Sequence, residues 1–178
     1  MSVPPIVCIV GRKGAGKTTL IERLVPELRR LGYAVGTAKR PPHAFHFDVP
    51  GKDSYRHFHA GAEATVVYGH GVVAAVRRLP AETPLEALVA RFLPEVDIVL
   101  AEGHKSAPLP KLEVFRAEVH PSPLYEGQPD YVAIASDEPL EAGIPRLDLA
   151  DPAAIAAFLV ARLLPPGPGR DEPRARRE

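Results

Sequence analysis

The sequence predicts an α/β fold built on a mostly parallel central sheet, and three observations predict it. Ile6 to Val10 is a short, continuous, largely β-branched run, the pattern of a strand buried on both faces. A glycine-rich turn, Gly11 to Thr18, follows it directly. Leu20, Ile21, Leu24, Val25, Leu28 and Leu31 then recur at helical spacing, with Glu22, Arg23, Glu27, Arg29 and Arg30 mostly on other faces. With a second strand over Tyr33 to Ala38, this is a βαβ unit, whose parallel strands need a right-handed crossover.

The remaining elements follow in order. Pro26 should kink the first helix, because proline removes a backbone donor and crowds the preceding turn; Gly32 is a natural stop. Thr65 to Tyr68 and Val72 to Arg77, joined by Gly69-His70-Gly71, predict an antiparallel hairpin. Leu85 to Phe92 reads as a helix, Val96 to Ala101 and Tyr131 to Ala135 as buried strands, and the alternating Lys111 to Arg116 as another strand. Pro152 to Leu164 reads as a final helix, capped by Asp151 with Pro152 in its first turn. Residues 1–164 are thus expected to form one domain, with a hairpin insertion at about 65–77. From Pro165 the chain turns to Pro-Pro-Gly-Pro-Gly and mixed charge, which predicts a disordered tail over 165–178.

Composition narrows the function classes. Lys plus Arg and Asp plus Glu balance at 22 each, so the overall charge points to neither nucleic acid nor an anionic membrane. The single cysteine, Cys8, forbids an intramolecular disulfide and sits in an apolar run, where a small buried hydrophobe is expected. No apolar run approaches the roughly 18 residues of a spanning helix, and the N-terminus carries no signal-peptide pattern, so a cytoplasmic protein is expected.

The strongest functional signal is Gly11-Arg12-Lys13-Gly14-Ala15-Gly16-Lys17-Thr18, which matches G-x-x-x-x-G-K-S/T between a strand and a helix. Glycines let successive N–H groups turn toward phosphate oxygens, and the helix beginning near Lys17 adds its positive dipole end. Lys17 should reach the β and γ phosphates, and the Thr18 hydroxyl should ligate Mg2+. A phosphate loop of this kind predicts a P-loop NTPase three-layer fold. The metal also needs a carboxylate from another strand end. Glu102 closes the apolar run from Asp97 and precedes Gly103, whereas Asp97 stands at the far end of that run. Glu102 is therefore the candidate, with a solvated strand-end carboxylate as its bland alternative.

His43 to His57 is dense in acids, bases and hydroxyls and should enter a helix that Asp53 or Ser54 caps. Asp48 or Asp53 there could bind Mg2+ or orient an attacking water. Five of the seven histidines fall between His43 and His70, but His57 and His59, two apart, share a side only on a strand. Polar-loop and phosphate-side roles are favoured over a transition-metal site.

Several blocks together resemble the molybdopterin-guanine dinucleotide biosynthesis protein B family, MobB. They are the phosphate loop, Asp48-Val49-Pro50-Gly51-Lys52-Asp53-Ser54 with Ala60-Gly61-Ala62, Glu102-Gly103-His104-Lys105, Lys111-Leu112-Glu113-Val114 and Ala135-Ser136-Asp137. Leu147-Asp148-Leu149 with Asp151 extends the likeness, which runs from about Val3 to Leu163. The resemblance implies a GTP-binding adapter, a weak GTPase and a homodimer. It would assist the enzyme that joins GMP to molybdopterin, with the pterin itself a candidate ligand. The site it implies uses Gly11, Arg12, Lys13, Gly14, Ala15, Gly16, Lys17, Thr18 and Thr19 for GTP, and Thr18, Asp48 and Glu102 near Mg2+. Lys17, Asp48 and Glu102 are the candidate catalytic groups. Asp137 would meet the guanine base, with a helix cap as its alternative role.

The sequence also departs from the family pattern. Lys39-Arg40-Pro41-Pro42-His43 stands where the family often has Lys-His-x-His-His, His104 replaces an aromatic residue, and no full Asn-Lys-x-Asp motif surrounds Asp137. Small-molecule kinases and nickel-delivery GTPases are the competing classes; no convincing Arg-rich lid supports the first. The hairpin is the candidate subunit contact, since an exposed sheet edge readily accepts another strand.

Overall fold

The computed structural model describes residues 3–41, 48–80 and 83–164. The expected tail over 165–178 and residues 43–47 of the histidine-bearing segment lie outside them. The chain divides into two compact units, Met1–Arg40 with Glu86–Glu178, and Pro41–Leu85.

In chain order the elements are β1 (Ile6–Val10), α1 (Lys17–Arg30), β2 (Val35–Lys39), α2 (Asp53–His59), β3 (Ala64–Gly69) and β4 (Val72–Arg77). They continue with α3 (Leu85–Phe92), β5 (Ile98–Glu102), β6 (Lys111–Phe115), β7 (Tyr131–Ser136), β8 (Arg146–Asp148) and α4 (Pro152–Leu163). The first unit carries a six-stranded sheet in the order β2-β5-β1-β6-β7-β8. Every neighbouring pair in it is parallel. On one face Val7, Ile9, Ile98, Leu100, Leu112, Val114, Ala133 and Ala135 pack with Leu20, Leu24 and Leu28 of α1 and Ile155 and Leu159 of α4. The alternate residues Cys8, Val10, Val99 and Ala101 turn to the other face and are equally buried. Val89 of α3 is also buried, outside the cluster under α1 and α4.

Local differences from expectation have identifiable causes. α1 runs as one helix through Pro26 to Arg30. Leu24 and Leu28, buried on either side of the exposed Pro26, hold the two halves on the sheet. Tyr33 and Ala34 are not strand. The Tyr33 N–H instead donates to Leu28 O at 3.1 Å and the Gly32 N–H to Arg29 O at 2.9 Å, closing α1 in a Schellman motif. The Ala34 N–H donates to the Asp97 carboxylate at 2.7 Å, which ties the start of β2 to the start of β5. The alternating Lys111 to Arg116 does form a strand, β6, and all five of its residues are buried because it lies between β1 and β7. The short strand β8 is an addition to the sequence reading. Asp151 does cap α4, accepting the Ala154 N–H at 2.9 Å.

In the second unit β3 and β4 form the expected antiparallel hairpin. His70 and Gly71 both take positive φ, 50° and 76°, as a two-residue turn with both centres left-handed requires. Neither Asp53 nor Ser54 caps α2. The N-cap residue is Lys52, which makes no side-chain cap bond, and both expected caps fall in the first turn. His57 and His59 stand on this helix and so diverge.

Candidate functional site

The parallel register brings the site together at the C-terminal edge of the sheet. β1 ends at Val10 and delivers the loop Gly11 to Gly16 to the start of α1. Gly11 passes so close to β6 that a Cβ there would lie 2.5 Å from Val114 O. Gly16, the N-cap of α1, is left-handed at φ 93° and ψ 22°. Both positions need glycine. Lys17 folds back over the loop, its Nζ donating to Gly11 O at 3.2 Å and Arg12 O at 2.9 Å. Partial burial lowers the Lys17 pKa, Glu102 works against that shift, and Lys105 and Lys39 add to it.

Glu102 joins the loop through strand register. Ile9 of β1 and Lys39 of β2 both stand opposite it. One carboxylate oxygen accepts the Thr18 hydroxyl at 2.9 Å, and the other lies 3.0 Å from Lys39 Nζ. Thr18, Glu102 and Lys39 therefore form one polar chain beside Lys17. Sequence reasoning had named Thr18 and Glu102 but assigned Lys39 no role. Its signals were its place just after the second strand and its match to the lysine of the family's Lys-His-x-His-His run.

Asp137 follows β7 directly, two strands from the phosphate loop across β6. No described helix begins there, so the helix-cap alternative falls away. Its carboxylate accepts a hydrogen bond from Arg116 at 2.6 Å, and Glu118 lies 3.9 Å from the same guanidinium nitrogen. Arg116 reaches back toward α1, its Nε 3.7 Å from where a Gly16 Cβ would stand. Thr19 lies beside it, in a cavity of about 20 Å3 lined also by Gly16, Leu20, Arg23 and Leu149. Arg23 anchors the far wall by donating to Leu149 O at 3.2 Å and Ala150 O at 2.8 Å. Arg116 and Arg23 were both missed, because nothing local marks an arginine for a pocket built from distant strands.

Asp48 belongs to the second unit, where its carboxylate accepts the Val49 N–H at 2.7 Å. Among the described residues, no group of three or more His, Cys, Asp or Glu side chains could hold a metal ion. None of the helices searched there is long and apolar enough to cross a membrane.

A family model described as molybdopterin guanine dinucleotide synthesis protein B, MobB, matches residues 6–137, from β1 through Asp137. The chain belongs to the MobB family. The molybdopterin-guanine dinucleotide biosynthesis adapter protein of Haemophilus influenzae is 35% identical over 156 residues, 87% of either chain. That of Escherichia coli is 34% identical over 161 residues, 88% of this chain and 91% of its own. The crystal structure of Bacillus subtilis MobB superposes with a TM-score of 0.70 at 30% identity, covering 89% of this chain and 98% of the other. The MobB match takes in the loop, the Asp48 to Ser54 block and Glu102 alike.

Proposed function

We propose that this chain is a GTP-binding adapter of molybdopterin-guanine dinucleotide assembly, a cytoplasmic homodimer that serves the enzyme attaching GMP to molybdopterin. The observation that carries this reading is the convergence of Lys17, Thr18 and Glu102 at one glycine loop in a MobB chain. Loop N–H groups and the α1 N-terminus would cradle the phosphates. Lys17, now bonded to loop carbonyls, would exchange them for phosphate oxygens. Arg12 and Lys13 would add positive charge at the loop, and Thr19 would face the nucleotide beyond the phosphates.

The Thr18 hydroxyl and the Glu102 carboxylate are hard oxygen donors, already 2.9 Å apart, which suits Mg2+. Mg2+ keeps several waters, so two protein donors suffice, with Asp48 a third candidate. The ion would neutralise phosphate charge. Lys39, 3.0 Å from one oxygen of Glu102, keeps the carboxylate oriented toward Thr18. Asp137 is the acceptor proposed for the guanine N1–H and N2 amine.

A nucleotide panel tests the reading. With Mg2+, GTP and GDP should bind more tightly than ATP and ADP, and Lys17→Ala should weaken all four by about 100-fold or more, as loss of a partly buried charge contact would. Turnover of GTP by the isolated protein should stay well below the enzyme median of about 10 per second. Unchanged binding in Lys17→Ala would remove the loop from the mechanism, and fast turnover would remove the adapter assignment.

A further inference from the structure

Arg116 and Asp137 pose a problem for any base that is to bind beside them. Asp137 carries the acceptor oxygens, yet one of them is held by the Arg116 guanidinium at 2.6 Å. Arg116 also lines, with Gly16, Thr19, Leu20, Arg23 and Leu149, a cavity of about 20 Å3, room for a water molecule and not for a purine. Arg116 therefore occupies a hydrogen-bonding partner that a base in this position would require.

The chemistry of the occupant matters. A guanidinium is a planar carbon bearing three nitrogens that can offer paired N–H donors to one carboxylate; here one of them, Nη1, reaches Asp137. Guanine contains the same fragment: its N1–H and N2 amine flank C2 and also present two parallel donors. Adenine does not, since its N1 is an acceptor and would set a lone pair against the carboxylate.

We propose that Arg116 is an internal surrogate for guanine, so that base binding is an exchange at Asp137 which guanine can complete and adenine cannot. The exchange gives Arg116 a second partner, because Glu118 already lies 3.9 Å from the same guanidinium nitrogen. Breaking the Arg116–Asp137 pair is a cost of the exchange. Both side chains are 34% exposed, so that cost is small and the gate is readily opened by the right base. This inference rests on the reading of Asp137 as the base acceptor.

The test measures GDP and ADP affinities, with Mg2+, for the parent and for Arg116→Ala, Arg116→Lys and Asp137→Asn. Removing the surrogate should tighten GDP by about threefold, the worth of a half-exposed ion pair, and tighten ADP less. Arg116→Lys should fall between the parent and Arg116→Ala, because a lysine keeps the charge but lacks the planar fork. If instead Arg116→Ala weakens GDP and Arg116→Lys restores it, Arg116 acts as a phosphate-side cation and the surrogate idea is wrong. Asp137→Asn should erase the preference for GDP over ADP. If it does so while Arg116→Ala leaves GDP unchanged, the base reading stands and the exchange fails; if the preference survives, the base reading itself fails. The Arg116 Nε–H resonance gives a readout independent of affinity. It should move on adding GDP and stay in place with ADP, and movement with both would also overturn the proposal.

Discussion

Glu113 shows how a single buried charge can serve a neighbouring site. It stands opposite Val10 in the centre of the sheet, and its two carboxylate oxygens accept the N–H groups of Leu124 and Tyr125 at 2.6 and 3.0 Å. That pins the long loop after β6, the one that begins with Arg116. Burial raises the Glu113 pKa, and the two N–H bonds, Lys105 and Arg12 pull it back only in part. A carboxyl whose folded pKa lies above its unfolded value contributes stability that is full below the unfolded value. The contribution is lost as pH rises through the folded one. Glu113→Gln, which does not titrate, should therefore cost more stability at pH 4 than at pH 7, as read by urea unfolding of both proteins. A cost that grew with pH would contradict the direction of the shift. Lys111, buried beside it, pairs with Asp130 and donates to Ala107 O at 2.6 Å. On the same face burial pushes the Cys8 thiol up to about 11, so this lone cysteine is a packing residue.

At the scale of elements, α1 both covers the core and presents the phosphate loop, so its stability bears on the site. Pro26 is exposed in its interior and leaves the Glu22 carbonyl without an i+4 donor. Proline in such a place costs about 3 kcal/mol, of which about 1 kcal/mol is returned by the stiffer unfolded chain. Pro26→Ala should then stabilise the protein by about 2 kcal/mol, seen as a higher urea midpoint with an unchanged slope. A loss of stability would mean that the helix is bent to fit the sheet at Pro26. The sequence announced this helix and its Gly32 stop through periodicity. The exact start of β2 was hidden because Tyr33 and Ala34, which look like strand residues, are taken up by a helix cap and by the Asp97 carboxylate.

For the molecule as a whole, the open question is how the second unit is completed. Val66, Tyr68 and Val73 share one face of the hairpin and are 56%, 83% and 68% exposed. Two strands alone are marginal in water, and apolar exposure of this kind marks an interaction surface. The homodimer proposed above would cover this face. Tyr68→Lys combined with Val73→Lys should therefore shift the protein to a monomer in sedimentation equilibrium, while the proposed GTP site keeps its affinity. A dimer that survives the double substitution would place the subunit contact elsewhere.

What the sequence determined by itself was local. The glycine loop, the strand before it and the helix after it are set by neighbouring residues, as are the hairpin with its His70-Gly71 turn and the Asp151 cap. Glu102 could be chosen over Asp97 because strand rise separates the two ends of one short run. What only the tertiary structure decided was which distant residues meet. Lys39 reaches Glu102 because β2 and β5 are parallel neighbours in a particular register, and Arg116 reaches Asp137 because β6 lies beside β7. Strand order and register come from burying both faces of the sheet, one of them under α1 and α4. That free energy is shared over the core and leaves no mark on any single polar residue it brings into contact.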